Sequence, residues 1–173
     1  MENLVLVKGV MPQLGEYSFV APNAIIAGDV LCKDNCSFWF GSVTRGDVGS
    51  IRIGKYTNIQ DGAIIHATYQ KSSTLIGDYV SIGHNAVVHG ATIGDHVLVG
   101  MSAVILDHAI IENYCIVAAG AVVLERFTCE GGFLYAGIPA RKIKPITSDQ
   151  RLSLDQTPMN YVLYASWFTN EEG

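Results

Sequence analysis

Aliphatic residues recur at intervals of six along most of this chain, and a small residue follows many of them. From Ile76 the row reads Ile76-Gly77, Ile82-Gly83, Val88-His89, Ile93-Gly94, Val99-Gly100, Ile105, Ile111, Val117-Ala118 and Val123, every step six except the five from Val88 to Ile93. Upstream the same phase runs through Val20-Ala21, Ile26-Ala27, Cys32, Phe38, Thr44, Ile53-Gly54, Ile59 and Ile65. Steps of nine after Thr44 and eleven after Ile65 interrupt it. Small or slender residues also stand four places beyond, as at Ala24, Cys36, Ala63, Ala86, Ala103 and Ala121. A helical period does not divide six, and plain strand alternation makes no demand for a small residue there. The pattern predicts an all-β chain of hexapeptide repeats, each a short strand and a turn. Three hexads, about 18 residues, close one triangular coil of a parallel β-helix, and coils stack about 4.8 Å apart.

After Val123 the repeat fades, and from Thr147 the chain changes character. Thr147 with Gln150 forms a capping box, and Thr157-Pro158 reads as a second helix start. A broken C-terminal helix is expected over 148–169, packing Tyr161, Tyr164, Ala165 and Phe168 against the coils or a neighbour. The chain thus divides into a β-helix domain, 1–145, and a helical segment, 146–173, lying on it.

Composition narrows the partners. The 173 residues are 49% hydrophobic and 16% charged, which excludes general disorder and suits one core. Eleven Lys and Arg against sixteen Asp and Glu give a net charge of −5, which argues against nucleic acid as a partner. No apolar run reaches the roughly 18–20 residues of a membrane helix. The opening, MENLVLVKGVMPQLGEY, lacks an apolar core with a cleavage site. No membrane partner is therefore expected, and a cytoplasmic location is. The four cysteines, Cys32, Cys36, Cys115 and Cys129, form no CxxC pair and read as small buried apolar residues.

Laying the hexads on three faces brings chemistry together. If the two long steps each hold one hexad plus extra residues, Thr44, Ile65, Val88 and Ile105 stack on one face. Their following residues, Arg45, His66, His89 and Leu106, then point outward. Two imidazoles sit one above the other, with a guanidinium one rung below. Stacked histidines can converge on one ion, since nitrogens each about 2.0–2.1 Å from zinc fit the coil spacing. Stacking Ile59 on Ile82 puts Asp61 and His84 together at a different edge. His84 is placed to reach the ion of an adjacent subunit, and a three-fold ring then holds three identical sites. His96 and His108 fall at the turn without a stacked partner and read as surface residues. Taken singly, Arg45, Asp47 and Asp61 read as ordinary surface charges.

The segments TRGDVGSIRIG (44–54), TNIQDGAIIH (57–66), IGHNAVVHGATIGDHVLVGM (82–101) and YAGIPARKI (135–143) together resemble the γ-class carbonic anhydrases. The likeness covers roughly residues 10–168. The hexads and GIPA are shared with hexapeptide acyltransferases; RGD, NIQDG and H…H-x4-H together are specific. The resemblance implies a left-handed coil and a homotrimer in which His66 and His89 of one chain and His84 of its neighbour bind metal. Zinc is the expected ion, with Fe2+ or Co2+ also suited to histidine ligands. It further implies that Arg45 and Asp61 form an ion pair between subunits supported by Asp47. Gln60 matches the residue that orients water or bicarbonate, and Asn160 and Tyr161 match an Asn/Tyr pair near the ion. The implied activity is reversible hydration of carbon dioxide to bicarbonate.

One departure stands out. The family's prototypes carry an acidic loop after the first metal histidine, with a glutamate that ferries protons. Here ATYQKSSTL (67–75) has no carboxylate, so slow turnover is expected. Two other classes fit less of the pattern. An acyltransferase would use one histidine as general base and bind coenzyme A between coils. A non-catalytic metal-binding trimer would keep the ligands and lack turnover.

Overall fold

A computed structural model describes residues 3–169. The strands are short and almost all parallel, and they lie in three columns. Phe38, Ile59, Ile82, Val99 and Val117 stand one above another on the first face. Ile26, Thr44, Ile65, Val88, Ile105 and Val123 do so on the second. Cys32, Ile53, Ile76, Ile93, Ile111 and Cys129 form the third. All of these residues are buried, as are the small residues four places on. The chain visits the faces in turn, so each coil contributes one inward residue per face to a single continuous core. That is the predicted hexapeptide β-helix.

Two details differ from the plain repeat. The nine-residue step is one continuous strand, Val43–Ile53, which bends from the second face to the third. It pairs with Ile25–Cys32 through a register shift between Gly28 and Val30. At the far end the coiling runs past Val123 to Cys129 and Tyr135, then gives way to an antiparallel hairpin of Phe133–Ala136 with Arg141–Pro145. Thr44 is the polar member of an aliphatic column. Its buried Oγ1 has no hydrogen-bond partner among the described residues.

The corners explain the aliphatic–glycine pairs. A Cβ on Gly54, Gly77 or Gly94 would overlap the side-chain oxygen of Asp78, Asp95 or Asn113 in the next coil. Those oxygens accept the backbone N–H of Lys55, Asp78 and Asp95 at 3.0, 2.8 and 2.8 Å. Glycine there makes room for the tie between coils. Nearby, Tyr56, Tyr79, His96 and Tyr114 all take left-handed φ values of 55–57°. Their rings stack with centroids 5.0, 4.9 and 4.6 Å apart, the spacing of the coils themselves. His96 is therefore not an isolated surface histidine as its turn position suggested; its stacking partners are tyrosines. His108 is exposed, as expected.

The helix Ser148–Thr169 is continuous, not broken at Thr157-Pro158. The capping box closes as expected, with Thr147 N–H donating to Gln150 Oε1 at 2.9 Å and Gln150 N–H to Thr147 Oγ1 at 3.2 Å. Pro158 removes one internal hydrogen bond, yet Leu154, Pro158 and Ala165 are buried together. Contacts at both ends hold the helix. Arg151 lies 3.5 Å over the Tyr114 ring. His96 Nδ1 lies 2.7 Å from Asp155 Oδ1, a close polar contact rather than a well-aligned hydrogen bond. Further along, Tyr161 packs edge-on against Trp39 at 5.4 Å, and Phe168 meets Phe19, Trp39 and Phe40. The cysteines are all free and buried. Among the described residues no helix is long and apolar enough to cross a membrane.

Candidate metal centre

The corner after the second face carries His66 and His89 on adjacent coils, paired in register as the hexad alignment required. The facing atoms are His66 Nδ1 and His89 Nε2, 3.2 Å apart. Each ring spends its other nitrogen on a carboxylate. His66 Nε2 lies 3.0 Å from Asp47 Oδ1, and His89 Nδ1 lies 2.9 Å from Asp107 Oδ1. A neutral imidazole has one N–H and one lone pair. In the tautomers that place both N–H groups on the carboxylates, the two near nitrogens present lone pairs to the same gap. They repel unless a cation stands between them. Two nitrogens about 2.0–2.1 Å from a tetrahedral ion sit about 3.3 Å apart, so the residues present fit a bound metal.

The carboxylates are tuned for this. Burial pushes Asp47 up, but hydrogen bonds from His66, Arg45 and its own backbone outweigh that and leave it below the ordinary carboxylate range. For Asp107 burial acts the same way and is overcome by hydrogen bonds from Thr68, His89 and Ser72. Both stay ionised at neutral pH and hold the rings as acceptors.

Arg45 follows Thr44, whose rung lies directly below that of Ile65, and it pairs with Asp47 of its own chain. Asp61 lies at the other edge of the same face, 2.8 Å from His84 Nδ1. The structure thus brings together His66, His89, Asp47 and Arg45 at one edge, and His84 with Asp61 at another. Among the described residues no group of three candidate ligands converges within the chain. Between the edges the outward residues Ile25, Val43, Ile64, Val87, Val104 and Val122 line up as one aliphatic stripe.

Gln60 is buried, and its Nε2 donates to Asn58 Oδ1 at 2.9 Å; Asn58 Nδ2 in turn donates to Ser81 Oγ at 2.9 Å. That chain fixes which end of the Gln60 amide remains able to accept. Asn160 accepts from Gln156 within the helix at 2.9 Å. Burial first, then the charges of Asp61 and Tyr164, push the Tyr161 hydroxyl up to about 12. The loop after His66 has no carboxylate of its own, but Thr68 and Ser72 in it reach Asp107. Asp107 and Asn58 escaped the sequence reading. For Asp107 the signal was present: it stands two places after Ile105, level with Gly90 below, an arrangement that parallels the glycine–carboxylate ties of the other corner.

Known proteins resemble this chain. Residues 90–125 match the family model "Bacterial transferase hexapeptide (six repeats)". A Methanocaldococcus jannaschii protein named "Probable carbonic anhydrase" is 43% identical over 143 residues, 83% of this chain and 89% of that protein. "Gamma carbonic anhydrase 2, mitochondrial" of Arabidopsis thaliana is 38% identical over 165 residues, 92% of this chain. The chain spans 59% of that plant protein's length. Among solved structures, a hexapeptide transferase family protein from Anaplasma phagocytophilum superposes with a TM-score of 0.92 at 36% identity, covering 97% of this chain and 99% of that one.

Proposed function

The chain belongs to the γ-class carbonic anhydrase family of hexapeptide-repeat proteins, and from that premise we propose that it hydrates carbon dioxide reversibly to bicarbonate at a metal ion held between subunits of a homotrimer. The observation that carries the reading is the pair of imidazole nitrogens 3.2 Å apart, each on a ring whose far nitrogen lies against a carboxylate. A divalent ion there, zinc foremost, supplies the lowered water pKa that neutral-pH hydration needs. The chain's own residues do the rest. His66 and His89 supply two neutral ligands. Gln60, anchored by Asn58, presents a hydrogen-bonding amide to water or bicarbonate.

The third ligand comes from a neighbour. His84 stands across the aliphatic stripe from His66 and His89, so a second copy docked on that stripe brings its His84 edge to their edge. Such a head-to-tail contact closes into a ring under three-fold symmetry. Arg45 and Asp61, on opposite edges here, then meet across the same contact. The decisive experiment pairs metal analysis and light scattering with stopped-flow hydration of carbon dioxide. A trimer with about one ion per chain and metal-dependent hydration is expected. A metal-loaded monomer, or full loading without hydration, would sink the proposal. The name of the matched repeat model also raises acyl transfer; acetyl-CoA consumption by metal-stripped protein would favour that reading instead.

A further inference from the structure

The ring of His89 is gripped from the coil beyond it. Asp107 takes His89 Nδ1 at 2.9 Å, and its carboxylate is anchored in turn by the loop that follows His66. Ser72 Oγ donates to Asp107 Oδ1 at 2.9 Å, and Thr68 Oγ1 donates to Oδ2 at 2.5 Å. Ser72 Oγ also accepts the Thr68 backbone N–H at 2.9 Å, which ties the loop to itself. Space for this clamp exists because residue 90 is glycine: a Cβ on Gly90 would overlap both Asp107 Oδ1 and Ser72 Oγ. The Asp107 side chain is only 15% exposed, so water competes weakly for it.

We propose that Asp107 is a positioning residue for the metal centre: clamped by Thr68 and Ser72, it holds the proton of His89 on Nδ1 and so keeps Nε2 as the ligating lone pair. The inference rests on the metal-dependent reading given above. A free imidazole exchanges its proton between the two nitrogens, and its orientation is set by whatever the other nitrogen bonds. Without Asp107 the alternative tautomer carries the proton on Nε2, where it points at His66 Nδ1 only 3.2 Å away. The two rings then satisfy each other by an internal hydrogen bond, and neither offers its lone pair to an ion. The clamp prevents that self-closure. It also assigns a task to the loop 67–75 in this chain: lacking a carboxylate, the loop orients one that belongs to another coil.

The test uses Asp107→Asn, which keeps the shape of the side chain, and reads the tautomer directly. In metal-free protein at pH 8.5, well above the imidazole reference value of about 6.5, nitrogen-15 spectra of His89 should show Nδ1 protonated in the wild type. In Asp107→Asn they should show Nε2 protonated or a mixture. Chelator competition with zinc should find affinity lower by about 10–100-fold in the variant, with an intermediate loss in the double variant Thr68→Val, Ser72→Ala. Metal-free melting curves establish that each variant is folded. If Asp107→Asn does not fold, the double variant carries the same comparison. An unchanged tautomer together with zinc affinity within twofold of wild type overturns the proposal and leaves the metal reading standing. If the wild type binds no divalent ion, the metal reading falls and the positioning role falls with it, whatever the tautomer does.

Discussion

Dividing the proposed ligands between two edges makes a prediction that arithmetic can test. His66 and His89 share one edge and His84 stands at another, with no three-ligand group inside the described chain. A trimer of His84→Ala subunits then lacks every third ligand, and a trimer of His89→Ala subunits lacks one of every stacked pair. Neither parent should hold metal through chelation and gel filtration. Refolding the two together in equal amounts changes this. Random assembly places both kinds in about three of four trimers. Every mixed ring then has one contact where an intact His66–His89 edge, from a His84→Ala subunit, meets an intact His84 from a His89→Ala subunit. The other two contacts are broken. About one quarter of the wild-type metal should therefore return, measured by mass spectrometry of the metal against protein concentration. A ligand set completed within one chain predicts no recovery, and that result would refute the reasoning. So would full metal retention by the His84→Ala parent, which would remove that histidine from the site.

Other outcomes follow from single features. Thr44→Val should stabilise the fold by about 1–2 kcal/mol, because it replaces a buried unpartnered hydroxyl with a methyl of similar shape; denaturant midpoints check it. His96→Ala should cost about 1–2 kcal/mol by breaking the ring stack and its contact with Asp155, and leave metal content unchanged. A drop in metal would show that the stack supports the site. Tyr161, held at about 12 against an ordinary 10, stays protonated throughout the neutral range and exports protons poorly. kcat should rise with imidazole-type buffer at fixed pH while kcat/KM stays flat; indifference to buffer would reveal another shuttle. The sign of that shift also fixes its effect on folding. Its contribution is fully present below pH 10 and is lost only as pH rises towards 12, so Tyr161→Phe should flatten the alkaline limb of the stability profile and leave the rest unmoved.

The columns were legible because each rung admits one inward side chain per face, and such a constraint repeats in the sequence at the period of the coil. Ile59 over Ile82, or Ile65 under Val88, needed only counting. The same counting at the turn position aligns His96 with Tyr56, Tyr79 and Tyr114, a stack that comparing histidines with histidines does not reveal. Pro158 misled for a different reason. Its penalty is local and its compensation tertiary, through burial beside Leu154 and Ala165 and the anchoring of the helix at both ends. Asp107 was harder still. Its partners Thr68 and Ser72 lie in a loop whose path no repeat dictates, so the pattern gave its coil and height but not the clamp.

The pairing of His66 with His89 has a consequence for ion selection. Their backbones are hydrogen-bonded neighbours in a parallel ladder, so the spacing of the two main chains that carry the rings is gauged by ladder geometry. The ladder is a ruler with one fixed graduation. Substitutions in the core columns can loosen or tighten the interior while the spacing of these two main chains stays the same. Coils added beyond Cys129 would lengthen the prism without rescaling that spacing. In the proposed site the ladder sets how far apart the two ring-bearing main chains stand, and the carboxylates behind the rings are the adjustable part.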